Sequence, residues 1–396
     1  MEREGVRTPR PGEDVIVMSG IYPRGAAQNE HSVGRETAVR SRSWIALSLF
    51  ISGAALVGLL AVTFTPETRA YLGEVSIAAL LLALGFRAAS ILCRVARIGV
   101  LCRGLGYTVP FRSLTTTQFL SLFAGSITPG QVGGEPVRVH RLSRSGLAVG
   151  DAVVVVVVER VLDLAVFVSL TLAALLALRH LWGYLAATVL YPVAAFLLLV
   201  LVLLLALVVL VRHPAFMKQV IGGVAVRVLN RCGRSRRWLR FCPGAEHAGF
   251  LGTRIDHEVE TFAAGSSRFV RAGRRAVVGA LALTVIEWVF LFSTASALLV
   301  ALRLPPSLPE SFLFQGILQM IATIPLIPGA AGISEIGAAT LYSRIVPTYL
   351  LGLFVVLWRL ILYYLNIPLG LLAATLAARE KAGRDPAGGG DPTENL

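Results

Sequence analysis

An all-α integral membrane protein with an inverted internal repeat is the fold class this sequence predicts, and three observations predict it. The 396-residue chain is 55% hydrophobic and only 15% charged, with a mean hydropathy of +0.72. Its apolar residues gather into runs of about twenty, the length a helix needs to cross about 30 Å of hydrocarbon. Finally, one device occurs twice: Pro129-Gly130-Gln131-Val132-Gly133-Gly134-Glu135 and Pro328-Gly329-Ala330-Ala331-Gly332-Ile333-Ser334-Glu335, each followed by an arginine, Arg160 or Arg359, 31 positions after its proline. Helix-breaking residues with ionisable partners are tolerated at membrane depth only where protein buries them or they line a polar cavity.

The elements follow in order. Residues 1–43 are polar and mixed in charge and read as a disordered tail, without the apolar run of a signal peptide. A membrane domain over 44–378 follows, with complete spans expected at about 44–64, 72–93, 150–178, 185–211, 276–300 and 349–378. Two further apolar stretches, about 111–128 and 311–327, run into the Pro-Gly devices. They are expected as re-entrant hairpins, because a continuous helix would break there; eight plain spans are the alternative. The halves of the repeat are then about 72–178 and 276–378. Between them, 212–275 is basic, with Phe216, Val220, Val224, Val228 and Trp238 at roughly helical spacing, as in amphipathic helices at a membrane surface. Glu246, His247, Asp256, His257, Glu258 and Glu260 cluster there without metalloprotease spacing and read as a solvated face. Residues 379–396 read as a second disordered tail.

Charge orients the chain. The formal net charge is +14, carried almost wholly by arginine. These residues flank apolar runs, so positive-inside topology explains them better than nucleic-acid binding. Arg35, Arg40, Arg42, Arg94, Arg97, Arg103, Arg112, the loop 212–275 and Arg379, Lys381 and Arg384 fall on one side, while Arg69, Arg179 and Arg303 stand nearly alone. Six crossings with both termini cytoplasmic satisfy that bias. The two hairpins then enter from opposite faces, the arrangement by which many secondary transporters build a midplane site. Cys93, Cys102, Cys232 and Cys242 form neither a disulfide framework nor a tight metal motif. No P-loop, nucleotide fingerprint or catalytic triad is present, and no cofactor or metal is expected.

The residues that carry chemistry cluster in and after the devices. Gly130, Gly133 and Gly134 allow close backbone approach, as do Gly329 and Gly332, and Pro136 marks where a new helix begins with free amides suited to an anion. Arg138 and Arg141 share a helix face at i and i+3, and Glu135 reads either as a helix cap or as a functional carboxylate. Glu159, Arg160 and Asp163 lie within one span, where each charge costs about 2.5 to 3.5 kcal/mol. They must pair or face water, as a salt-bridged knot between helices or along a substrate path. Arg359, one turn before Tyr363, suits bidentate phosphate binding or snorkelling, and Glu335 is its device's acid. Arg87 and Glu287, in the spans before the hairpins, complete a candidate four-helix polar core.

From about 44 to 378 the chain resembles the flippase-like membrane domain of lysylphosphatidylglycerol synthases, the multiple peptide resistance factor family. The resemblance rests on Thr128 to Arg138, on Glu159-Arg160-Val161-Leu162-Asp163, on Ile327 to Glu335 and on Trp358-Arg359-Leu360-Ile361-Leu362-Tyr363-Tyr364. It implies a role in moving or presenting lipids with charged or glycosylated head groups between leaflets of the cell membrane. Family synthases carry a C-terminal aminoacyl-transfer domain, and some archaeal relatives an N-terminal glycosyltransferase; neither is expected in tails this short. The leading expectation is therefore a lipid translocase with phospholipid or a lipid-linked molecule as partner. A membrane-embedded transferase using Glu135 or Asp163 as base, and an anchor for a separately encoded lipid-modifying transferase, are the alternatives.

Overall fold

The computed structural model describes residues 50–128, 131–178, 274–323 and 330–382, with isolated helical positions between 194 and 205. The tail 1–43, most of the expected span 185–211, nearly all of the loop 212–275, the end of the chain beyond Ala382 and Pro129, Gly130, Pro328 and Gly329 of the two devices lie outside the described residues. Within them every regular element is a helix.

The first helix, α1 (Phe50–Thr63), stops where Thr65 and Pro66 start α2 (Pro66–Tyr71), and the chain bends there by 104°. The Thr65 hydroxyl accepts from the Thr68 amide, Thr68 Oγ1 accepts from the Thr65 amide at 3.0 Å, and Pro66 supplies the preset φ of a first helical residue. The span expected at 44–64 is thus a helix turned aside at its end. Ser76 caps α3 (Ile77–Gly104), which starts later and runs further than the expected 72–93, because Arg94 and Arg97 find carboxylates inside the fold and need not end it. Then come α4 (Phe111–Ser126), α5 (Gly134–Arg144) and α6 (Val149–Ala177).

The second half repeats this order with α7 (Arg274–Ala301), α8 (Leu308–Thr323), α9 (Ile333–Tyr342) and α10 (Thr348–Arg359). A π-helical turn, Leu360–Tyr364, joins α10 to α11 (Asn366–Ala382), so the tail expected from 379 begins as helix. The starts of α3 and α7, and of α4 and α8, are each 197 residues apart; those of α5 and α9, and of α6 and α10, are each 199 apart. Backbone irregularities follow the same register: Gly106 and Arg303 both have positive φ, as do Gln131 and Ala330. Among the described residues, three helical stretches, α3, α7 and Thr348–Arg379, are long and apolar enough to cross a membrane, or four if the bent pair α1–α2 is one span. The α6 helix is as long but carries Asp151, Glu159, Arg160 and Asp163.

The equivalent helices α3 and α7 lie side by side and antiparallel. The Ser76 amide donates to Ala301 O at 2.8 Å at one end, and further along Arg94 meets Glu287 and Arg97 meets Thr284. Each half also packs the end of its repeat against the other half's second helix: Gly370 of α11 lies against Phe123 of α4, and Thr171 of α6 against Gly316 of α8. A Cβ at either glycine would collide with that neighbour, so the close approach depends on the missing side chain. Gly370→Val is expected to cost about 1 to 3 kcal/mol by overpacking, read as a lower melting temperature in detergent.

Two apolar clusters fill the interior. One contains Ala83, Val166, Phe167, Trp288 and much of α8 and α10; the other contains Ile91, Val95, Ile98, Val155, Leu162 and Ala280. On α3, α6 and α7 the change from one to the other falls between Ala83 and Ile91, Leu162 and Val166, and Ala280 and Trp288. Arg87, Asp163 and Glu287 fall within those three intervals.

Candidate functional site

Arg97 is the hub. Its guanidinium, wholly buried, donates through Nε and Nη2 to Glu159 Oε1 at 3.2 and 3.1 Å, through Nη1 and Nη2 to Asp163 at 2.6 and 3.2 Å, and through Nη1 to Thr284 Oγ1 at 3.0 Å. Glu287 Oε2 stands 3.2 Å from Nη1. Glu159 and Asp163, one turn apart on α6, therefore share one planar fork, a task for which arginine is built and lysine is not. Asp163 also accepts from Trp288 Nε1 at 3.2 Å, and Glu287 accepts from Arg94 Nε at 2.6 Å.

The hairpin α4–α5 is tied to this hub. Arg138, buried on α5, donates to Glu159 Oε2 at 2.8 Å, Gln118 Oε1 at 3.3 Å and Ser121 Oγ at 3.1 Å. At its turn the Thr128 hydroxyl accepts from the Gly133 amide at 2.9 Å, and Ser121 Oγ donates to Gly134 O at 2.9 Å. A Cβ at Gly134 would lie 2.8 Å from Ser121 O, which explains the glycine. Among the described residues the start of α5 has no side-chain cap; Glu135 pairs with Arg160, which also stands 3.9 Å from Asp163.

In the second half the cap falls on the other acid. Glu335 Oε2 accepts the Gly332 amide at 2.7 Å, where Gly332 has φ of 82°, and Oε1 accepts from Arg359 Nε at 2.7 Å and from the Ser52 hydroxyl. Tyr364 OH donates to Ser52 Oγ at 2.7 Å, so α1 is bound into the pair. The Arg359 guanidinium lies 4.6 Å from the centre of the Tyr363 ring, and Tyr363 OH donates to Ser126 O at 2.9 Å, joining the π-helical turn to α4.

A cavity of about 170 Å³ opens between the halves, lined by Arg87, Arg94, Arg138, Arg160 and Arg359 with Asp163 as the single lining acid among the described residues. Gly134, Ser126, Gln131, Gln315, Trp358 and Tyr363 are also in its wall. Beside it, a valine-rich groove between α5 and α6 contains Glu135 and Arg160, so Arg160 borders both spaces.

Of the residues expected at a head-group site, the cavity gathers Gly134, Arg138, Arg160, Asp163, Arg359 and Tyr363. Glu159 and Glu335 stand behind them as buried counter-charges. Gly133 and Gly332 shape the helix starts, Arg141 is in the wall of neither space, and Gly130 and Gly329 lie outside the described residues. Arg94 and Arg97 were expected in a basic segment beyond the second span; both are instead within α3, paired with acids from α6 and α7. Their removal from the flanking charge count weakens one of the four arginine groups that orient the chain. The readable signal was spacing: Arg87, Arg94 and Arg97 lie at i, i+7 and i+10, one helical face. Gln118 and Gln315, 197 residues apart, both reach the polar interior and were likewise missed.

Long apolar helices around a buried arginine–carboxylate network and an arginine-lined cavity define a polytopic membrane protein with an internal polar site. Residues 39–370 match the family model described as the lysylphosphatidylglycerol synthase TM region, and the chain belongs to that family. It is also 30% identical over 279 residues to a UPF0104 membrane protein of Archaeoglobus fulgidus, covering 70% of this chain and 80% of that relative.

Proposed function

We propose that the protein is a lipid translocase of the cell membrane that takes charged or glycosylated head groups into the cavity between its halves. The observation that carries this reading is the cavity itself: five arginines converge on it from α3, α5, α6 and α10. Charge-assisted, bidentate hydrogen bonding to phosphate is what guanidinium groups in a low-dielectric site do best. The antiparallel contact of α3 with its equivalent α7, and the exchange of packing between α4–α11 and α8–α6, support an inverted relation of the halves, about 72–178 and 276–378. In that reading the two hairpins enter from opposite faces and both termini are cytoplasmic, with six crossings completed by the span near 185–211.

Head-group contacts fall to Arg138, Arg160, Arg359 and Tyr363, which border the cavity, while Glu159, Asp163 and Glu335 balance their charge. Glu135 and Asp163 are both engaged by arginines, which favours binding over a general-base role. Any chemical modification of the lipid then falls to a separately encoded transferase as partner.

The test is reconstitution in liposomes of phosphatidylcholine with labelled anionic or aminoacylated phospholipid, following leaflet accessibility with time. Acceleration over empty liposomes is expected. Arg160 is 41% exposed, so Arg160→Gln should cost under about 1 kcal/mol of stability. It should nevertheless slow transport by about tenfold or more, because Arg160 borders both the cavity and the groove. No acceleration by the native chain would overturn the translocase reading for those lipids.

A further inference from the structure

Charge balance across the site points to the substrate's own charge. Each carboxylate of the network has an arginine within salt-bridge distance: Glu135 has Arg160, Glu159 has Arg97 and Arg138, Asp163 has Arg97, Glu287 has Arg94 and Arg97, and Glu335 has Arg359. Those five acids meet five arginines, and Arg87 is the sixth. Arg87 is 7% exposed, lines the cavity, and has no carboxylate partner among the described residues. Its Nη2 donates to the neutral Asn366 amide oxygen at 2.9 Å, and its buried Nε has no partner. It stands ten residues into α3, about 15 Å along the axis. A desolvated cation at that depth is costly unless an anion completes it.

We infer that the cavity binds one phosphodiester monoanion, with Arg87 as its anchor and Asn366 orienting the guanidinium. This rests on the translocase reading and deepens it: head groups of net charge −1 are selected over zwitterionic and cationic ones. The fork of Arg87 offers Nε and the remaining Nη hydrogens to two phosphate oxygens, while Arg94, Arg138 and Arg359 in the same wall already meet carboxylates.

The experiment uses the purified full chain in neutral detergent, with equimolar phosphatidylglycerol and phosphatidylcholine, and counts bound lipid by native mass spectrometry. The native chain should retain phosphatidylglycerol over phosphatidylcholine by about tenfold, the order expected for one charge-assisted contact. Arg87→Gln should bring the ratio to within about twofold of unity, and Arg87→Lys should keep a preference for phosphatidylglycerol. Without lipid, Arg87→Gln should melt no lower than the native chain, since it removes an uncompensated buried charge; a purely structural Arg87 would destabilise on replacement. An unchanged ratio in folded Arg87→Gln, or equal binding of both lipids by the native chain, overturns the inference. Full competition by soluble glycerophosphoglycerol at equal concentration would uphold the phosphodiester site but assign its occupant to solution. A chain that selects phosphatidylglycerol yet accelerates no lipid exchange keeps this inference and loses the translocase reading; transport without selectivity does the reverse.

Discussion

Arg97→Leu is expected to abolish the folded state of this protein or lower its stability by more than about 5 kcal/mol. Breaking a buried ion pair by removing one partner costs about 3 to 5 kcal/mol, because the other charge is left unpaired in low dielectric. Here one guanidinium serves Glu159, Asp163 and Glu287, all nearly inaccessible. Arg138 still holds Glu159 and Arg94 still holds Glu287, whereas among the described residues Asp163 keeps the Trp288 indole N–H and the distant Arg160. Arg97→Lys should fall between, since an ammonium cannot span both acids in the plane of a fork. Size-exclusion profiles and melting temperatures in detergent, compared across the three proteins, check this. An Arg97→Leu chain that melts within a few degrees of the native one would show the network to be much wetter than its burial implies.

The second large effect is expected at the other end of the cavity. Glu335→Ala removes in one step the acceptor for Arg359 Nε, for the Gly332 amide and for the Ser52 hydroxyl. A loss of about 3 to 5 kcal/mol is expected, through the buried charge and the uncapped start of α9. The pair Glu335→Ala with Arg359→Leu should recover part of that loss, because removing both charges leaves neither stranded. The double variant should transport no lipid in the liposome assay even where its stability returns. Recovery of stability with full transport would place the head-group site elsewhere.

The contrast between Arg160 and Arg359 shows how far sequence reasoning reached. The two occupy equivalent positions, each 31 residues after its proline, and read alike. In the fold Arg359 is buried against Glu335, while Arg160 is partly exposed beside Glu135. The devices differ by one register in where their acid falls: Glu135 aligns with Ser334, and Glu335 with Pro136. That single step decides which carboxylate caps a helix and which faces its arginine across a groove. Linear pattern showed the repeat; it did not show that the halves had diverged in the roles of their charges.

Arg97 makes the same point more strongly. Its setting among Arg94, Arg103 and Arg112 resembles a flanking basic segment, and only the approach of α6 and α7 turns it into the centre of the protein. Glu159 and Asp163, by contrast, were legible as a site because acids inside an apolar run have no inexpensive alternative to pairing.

By itself, the sequence determined the membrane class, the helix boundaries of α4, α6 and α7 to within a few residues, the register of the duplication and, around the cavity, Gly134, Arg138, Arg160, Asp163, Arg359 and Tyr363. These depend on hydropathy, helix breakers and local spacing, which are properties of contiguous residues. The tertiary structure decided which arginine meets which acid, the turn of α1 into α2, the placing of Arg94 and Arg97 inside the fold and the pairing of Arg87 with the neutral Asn366. Those are fixed by contacts between helices far apart in the chain. An ion pair depends on distances in space that linear spacing does not contain.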